Sequence, residues 1–172
     1  MKRFAFLALL ALVACNEDEA KAPPAPVELT EQALSYFCQM NIAEHGGPKG
    51  QIHLEGFPAP LFFAQVRDMV AYLKSPEREA AITAAYVSDM GRARSWADPG
   101  NDNWITAHDA VYVVGADVAG GMGAPEIVPF ADEPSAASFI AEYGGEVQSL
   151  DTIPDDAALG PVNLDQKLET PS

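Results

Sequence analysis

The chain has 172 residues, of which 48% are hydrophobic, and carries 25 acidic against 10 basic side chains for a formal charge of −15. Nucleic acid is excluded as a partner by that balance, because a polyanion is repelled from so negative a surface. The length suits one compact domain or two small fused lobes.

The opening MKRFAFLALLALVACN sets Lys2 and Arg3 ahead of an apolar run over residues 4–13, with small Ala14 before Cys15. The run is about half of the ~20 apolar residues that cross a bilayer, so residues 1–14 read as an export signal, not a span. Leu12-Val13-Ala14-Cys15 resembles the bacterial lipobox. That resemblance implies that Cys15 is acylated through its thiol and anchors the mature chain to a membrane. Asn16, where aspartate favours inner-membrane retention, points to a periplasm-facing, outer-membrane anchor. Lipidation would leave Cys38 as the one free thiol, with no intramolecular disulfide available to it.

Residues 15–30 combine acidic residues, proline and alanine without apolar periodicity and read as a flexible tether. The predicted fold occupies residues 31–153. In its first lobe, about 36–90, Ile52 and Leu54 alternate with Gln51, His53 and Glu55, the pattern of a half-buried strand. Leu61-Phe62-Phe63 is a second strand, and Val66, Met69, Val70 and Leu73 follow helical spacing. Ser75-Pro76 predicts a further helix start, and residues 85–88 a closing strand. After the loop at 97–103 comes a second lobe, about 104–153. Strands are expected at 110–115 and 127–130. A helix opens at Asp132-Glu133-Pro134 and stops at Gly144-Gly145, and a last strand covers 146–150. The fold class is therefore α+β, two small ββαβ-like lobes in one compact unit. Residues 154–172, acidic and proline-bearing, are expected to form a disordered tail.

The chemistry sits in Phe37-Cys38-Gln39-Met40. If this stretch is a strand, Cys38 and Met40 share one face and present a thiolate and a thioether together. Soft sulfur donors select Cu(I), whereas magnesium and calcium want oxygen and structural zinc wants four cysteine or histidine ligands. An unpaired thiol in an oxidising compartment is also an oxidation hazard that metal ligation masks. A third donor is open among Met122, in a Gly-Gly-Met-Gly loop, Met90 at a strand end, and His45 in a glycine-rich turn. Met69 belongs to a helix stripe, and His53 and His108 read as surface residues.

Seven short motifs recur in order: Phe37-Cys-Gln-Met40, Gly47-Pro-Lys-Gly-Gln-Ile52, Phe63-Ala-x-x-Arg-Asp68, Tyr86-Val-Ser-Asp-Met-Gly91, Trp104-Ile-x-Ala107, Ala110-Val-Tyr-Val-Val-Gly115 and Gly121-Met-Gly123. Together they resemble the NosL family of nitrous-oxide reductase accessory lipoproteins. The resemblance implies two related ββαβ units and a periplasmic Cu(I) chaperone that serves assembly of the copper-sulfide centre of nitrous-oxide reductase in denitrification. It implies as partners the apo-reductase and a membrane ABC-type maturation complex, and as copper ligands Cys38, Met40 and Met122. No enzymatic step is implied. Many relatives carry Cys-x-x-Cys-Gly-Met, whereas here Ser35 takes the first cysteine position and Gln39 the glycine. Two alternatives remain at this stage: a metal-free scaffold lipoprotein, and a thiol-dependent, lyase-like enzyme centred on Cys38 with His45 or an aspartate assisting.

Overall fold

A computed structural model describes residues 22–163 and 165–171; the leader at 1–14, Cys15 and the tether up to residue 21 lie outside the described residues. The elements run β1 (Gly50–Leu54), β2 (Leu61–Phe63), α1 (Val66–Lys74), β3 (Ile82–Ser88), β4 (Trp104–Thr106), β5 (Val111–Val114), β6 (Val128–Phe130), α2 (Glu133–Tyr143), β7 (Glu146–Gln148) and α3 (Asp155–Leu159).

The ββαβ order appears twice with the same topology. β1 lies between β2 and β3, and β5 lies between β6 and β7, with every pairing antiparallel. One departure concerns β4, which opens the predicted second lobe but pairs with β3 through Val87↔Ile105, giving a first sheet ordered β2-β1-β3-β4. The second sheet therefore begins at Val111.

Helix α1 forms where predicted, and its stripe of Val66, Met69 and Val70 is buried against Ile52, Phe63 and Val87. Helix α2 is fixed at both ends: the Asp132 carboxylate accepts from Ser135 N at 2.8 Å, and Gly144 leaves the helix at φ 73°. Phe139 stacks on Trp96 above a second core of Val113, Val128 and Phe130. Strand alternation sends Tyr112 to the first core and Val113 to the second, so β5 joins the two lobes. The buried Tyr112 hydroxyl donates to Ala107 O at 2.5 Å, which satisfies the one polar atom that this strand carries inward.

Three expectations are corrected. All five residues of β1 are buried, including Gln51 and His53, because residues that should have formed a free tether lie along its polar face. Val27 N donates to Gln51 Oε1 at 2.8 Å, Gln51 Nε2 donates to Val27 O at 2.9 Å, and the Tyr86 hydroxyl reaches Pro24 O at 2.6 Å. The second correction is the acidic tail. It forms α3, which packs on α1 and is tied by Arg67 Nη2 to Gly160 O at 2.7 Å and by a Lys74–Asp155 ion pair. Further on, Glu169 pairs in parallel with Val118. Third, Ser75-Pro76 starts no helix. Ser75 is the C-cap of α1, its N–H bonded to Ala71 O and Tyr72 O, and its hydroxyl accepts from Glu77 N in a local turn.

Gln51 carries the strap at 22–30, so Gln51→Leu leaves both polar groups of Val27 without partners. Loss of these part-buried bonds is expected to cost about 1 kcal/mol. Limited proteolysis should show faster cleavage within residues 22–30 at unchanged protection of β5; equal cleavage in both proteins would refute the role given to Gln51.

Candidate functional site

Cys38 and Met40 lie on a tight turn, which corrects the strand reading. Ser35 N donates to Met40 O at 2.9 Å and Gln39 N to Ser35 O at 2.8 Å, closing the loop beneath an isolated Leu34↔Asn41 bridge. The turn requires Gln39 at φ 57°, the one left-handed non-glycine among the described residues. That conformation costs an L-residue roughly 1–2 kcal/mol. Its side chain offsets part of this by donating to Tyr36 O at 2.7 Å. Strict strand alternation thus does not set the relation of the two sulfurs. Cys38 is half-buried and forms no disulfide among the described residues, and Met40 is 40% exposed. Ser35 is fully buried and its hydroxyl accepts from Ala64 N at 3.3 Å. It serves the turn and offers no outward donor.

Met122 stands on the loop at 120–123, 38% exposed, whereas Met69 is completely enclosed in the first core. The loop is a turn closed by Gly123 N to Gly120 O at 2.8 Å and held to the body by Met122 N, which donates to Gln65 Oε1 at 3.2 Å. Its glycines answer to close packing: a Cβ on Gly121 would lie 2.6 Å from the His45 Cβ, and one on Gly120 would strike Glu126 and Gln65. His45 Nδ1 lies 3.0 Å from Gly121 O. A carbonyl only accepts, so in the neutral ring Nδ1 carries the proton and Nε2 presents its lone pair. That Nε2 is buried and has no hydrogen-bond partner.

Both segments are anchored on Ala64-Gln65, the junction of β2 and α1. Ala64 N holds the turn at 35–40 through Ser35, and Gln65 holds the Met122 loop. Beneath them lies Lys49, 2% exposed, whose Nζ donates to Gly46 O at 3.0 Å, Gly47 O at 2.7 Å and Ala64 O at 3.2 Å. Three carbonyls match the three protons of an ammonium. Burial nevertheless pulls its pKa down to about 8, with Glu126 acting in the opposite direction. Glu126 is equally enclosed. Burial raises its carboxyl to about 8, although Oε1 accepts from Arg67 N at 3.0 Å and Ile127 N at 2.9 Å. Its Oε2 lies unpartnered beside Gly120.

The remaining candidates separate. Met90 packs against the second core and its N–H donates to Pro129 O. His53, expected at the surface, is buried with Nε2 3.0 Å from Gln51 Oε1, while His108 is exposed beside Asp109. Among the described residues no three His, Cys, Asp or Glu side chains converge as a metal site.

Comparison with known proteins bears on this donor set. A model of the family described as NosL matches residues 26–158. The chain belongs to the NosL family. It is 52% identical over 156 residues to a protein of Achromobacter cycloclastes named copper-binding lipoprotein NosL, covering 90% of this chain and 80% of that one. A protein of the same name from Stutzerimonas stutzeri is 32% identical over 151 residues, covering 87% and 77%. The crystal structure of the copper chaperone NosL from Shewanella denitrificans superposes with a TM-score of 0.71 at 32% identity, over 76% of this chain and 97% of that one. The solution structure of apo-NosL from Achromobacter cycloclastes gives a TM-score of 0.50 at 50% identity, covering 71% and 95%.

Several motifs that carry the NosL resemblance are the polar ties just described. Lys49 comes from Gly-Pro-Lys-Gly, and Ala64 and Arg67 from Phe-Ala-x-x-Arg-Asp. Ser88, from Tyr-Val-Ser-Asp, has a hydroxyl that accepts from Lys49 N at 3.0 Å. Sequence reasoning missed Lys49, Gln65 and Glu126 as site residues. A lysine enclosed by glycines and a proline was the available signal for the first.

Two outcomes follow for this NosL member. Gln39→Val removes the compensating amide and adds a β-branch at positive φ, so a loss of about 1–3 kcal/mol is expected in urea unfolding, whereas Gln39→Gly should stay within about 1 kcal/mol of wild type. An unchanged Gln39→Val protein would refute the strained turn. Glu126 holds a proton in the folded state that the unfolded state releases above its ordinary value of 4.5. Its contribution to stability is therefore full below that value and declines as pH rises toward about 8. Glu126→Gln keeps an acceptor for both backbone N–H groups, and should flatten stability against pH over that window in denaturant titrations. A parallel decline in wild type and variant would place the cause elsewhere.

Proposed function

We propose that this chain is a membrane-anchored lipoprotein and copper chaperone, with Cu(I) as its cargo. The observation that carries the reading is the joining of a half-buried thiol, Cys38, and two exposed thioethers, Met40 and Met122, to one rigid junction at Ala64-Gln65. Met40 and Met122 are both open to solvent, and soft sulfur is the donor class that Cu(I) prefers. The relatives named copper-binding lipoproteins, and the solved structure named a copper chaperone, support the same reading.

In this reading Cys38 as thiolate and Met40 bind Cu(I), and Met122 closes over it from the loop at 120–123. His45, through the bare Nε2 beside that loop, is the competing third donor. A site of few, exposed ligands lets a partner's donors enter one at a time, so the metal leaves by exchange without ever being free. The recipient is apo nitrous-oxide reductase, whose copper-sulfide centre is assembled in denitrification, and the membrane ABC-type maturation complex is the second partner. The acidic surface steers a basic docking face. Acylated Cys15 fixes the chain to the periplasmic side of the outer membrane. The chain carries a cargo and turns over no substrate, so neither a thiol-dependent lyase nor a metal-free scaffold is needed.

Anaerobic titration with Cu(I) against a competing chelator tests this. Wild type should bind about one copper per chain. Cys38→Ala should weaken binding by roughly two orders of magnitude or more, and Met40→Ala and Met122→Ala by about tenfold each, ~1.4 kcal/mol apiece. A larger loss in His45→Ala than in Met122→Ala would make histidine the third ligand. Binding indifferent to Cys38→Ala and Met40→Ala, or no tight binding at all, would overturn the copper reading.

A further inference from the structure

Beside the copper-binding turn lies a second feature with its own chemistry. Tyr36 and Phe37, the residues before Cys38, stand over an aromatic floor. The Tyr36 ring meets Tyr72 edge-on at 5.6 Å and 85°, and the Phe37 ring meets Phe63 edge-on at 5.6 Å and 82°. Phe37 remains 50% exposed. Tyr36, Phe37 and Tyr72 border an open cavity of about 370 Å³, closed on its other side by Glu77, Arg78 and Glu79.

Glu79 is held by two phenols: the Tyr36 hydroxyl donates to Oε1, and the Tyr72 hydroxyl donates to Oε2 at 2.5 Å. These bonds hold its carboxyl below its ordinary value, so the group is a fixed anion. Among the described residues no cation forms an ion pair with it, although the charge of Arg78 acts on the neighbouring Tyr72. Arg78 turns its guanidinium to Leu73 O at 2.6 Å, and the ion pairs among the described residues are Lys74–Asp155, Arg94–Asp98 and His108–Asp109. An immobilised carboxylate beside half-exposed ring faces attracts cations twice over, through charge and through the ring quadrupole. The cavity shares its wall with the turn that carries Cys38 and Met40, so a macromolecule reaching those sulfurs passes over it.

We infer that this pocket is a socket for a basic side chain, arginine foremost, of the protein that exchanges copper at Cys38. Arginine fits because its planar guanidinium stacks on Phe37 while forking toward Glu79, which the compact ammonium of lysine cannot do. The socket fixes the rotation of the partner over the turn, which a general negative field cannot do. The identity of the partner rests on the copper-transfer reading above; the cation preference of the pocket does not.

The test uses the full chain in detergent micelles, copper-free, and two probes with blocked termini: cationic N-acetyl-arginine methylamide and its uncharged isostere, N-acetyl-citrulline methylamide. In NMR titration the arginine probe should give a saturable shift centred on Tyr36, Phe37 and Tyr72, and the citrulline probe should bind at least about tenfold more weakly. Glu79→Gln and Phe37→Ala should each weaken the arginine probe about threefold or more, with Glu79→Gln leaving Cu(I) affinity unchanged. Equal binding of the two probes, shifts scattered over other carboxylates, or indifference to both substitutions overturns the socket. Phe37→Ala decides the matter should Glu79→Gln fail to fold. Loss of copper binding in wild type with the arginine response intact would instead condemn the copper reading and leave the cation pocket standing.

Discussion

The arrangement around the sulfurs of Cys38, Met40 and Met122 depends on one buried cation. Lys49 spends all three of its protons on carbonyls from the bend before β1 and from the β2–α1 junction, while its own peptide is bonded on both sides to Ser88 of β3. An ammonium withdrawn from water is tolerable only when every proton has an acceptor, so the carbonyls of Gly46, Gly47 and Ala64 are forced to face inward. That requirement fixes where Ala64-Gln65 sits. The 35–40 turn and the Met122 loop inherit their positions from it. A neutral side chain of the same length would fill the space and leave three carbonyls without a donor.

Built on this base, the site divides labour between rigid and yielding parts. Ser35, Gln65, Glu126 and His45 are enclosed or half-enclosed and hold backbone, while Met122 and Met40 are exposed. Function on loops supported by a packed scaffold is the usual division, because precision comes from the scaffold and access from the loop. The strained Gln39 belongs to the same logic. A left-handed residue between the two sulfurs turns them away from the regular alternation that a strand would impose.

Much of the fold was legible because it rests on periodicity. The stripe Val66, Met69, Val70 and the Asp132-to-Gly144 helix carry their start, face and end in local chemistry. The repeated ββαβ order was legible for the same reason. What escaped was decided by distant partners. Three residues of polar-apolar alternation at Cys38 look identical in a strand and in a turn, and only the bond from Ser35 to Met40 distinguishes them. Gln51 and His53 were assigned to solvent on polarity, since nothing within β1 announces that Val27 will cover them. Lys49 and Glu126 were overlooked for the opposite reason: charged side chains are almost always exposed, and their burial depends on acceptors contributed from elsewhere in the chain. Of the site, the sulfur donors were visible as residue types, while the elements that bring their segments together were not.

The strap also sets a length scale. Pro24 is pinned to Tyr86 and Val27 to Gln51, so the length available between the body and Cys15, the residue proposed to carry lipid, ends at Pro24. From Cys15 to Pro24 there are roughly nine residue steps, which span at most about 32 Å when fully drawn out. With lipid at Cys15, so short a leash would confine the body to a thin shell above the bilayer. Within that shell its encounters become two-dimensional, and partners embedded in the same membrane are met far more often than those diffusing through the bulk.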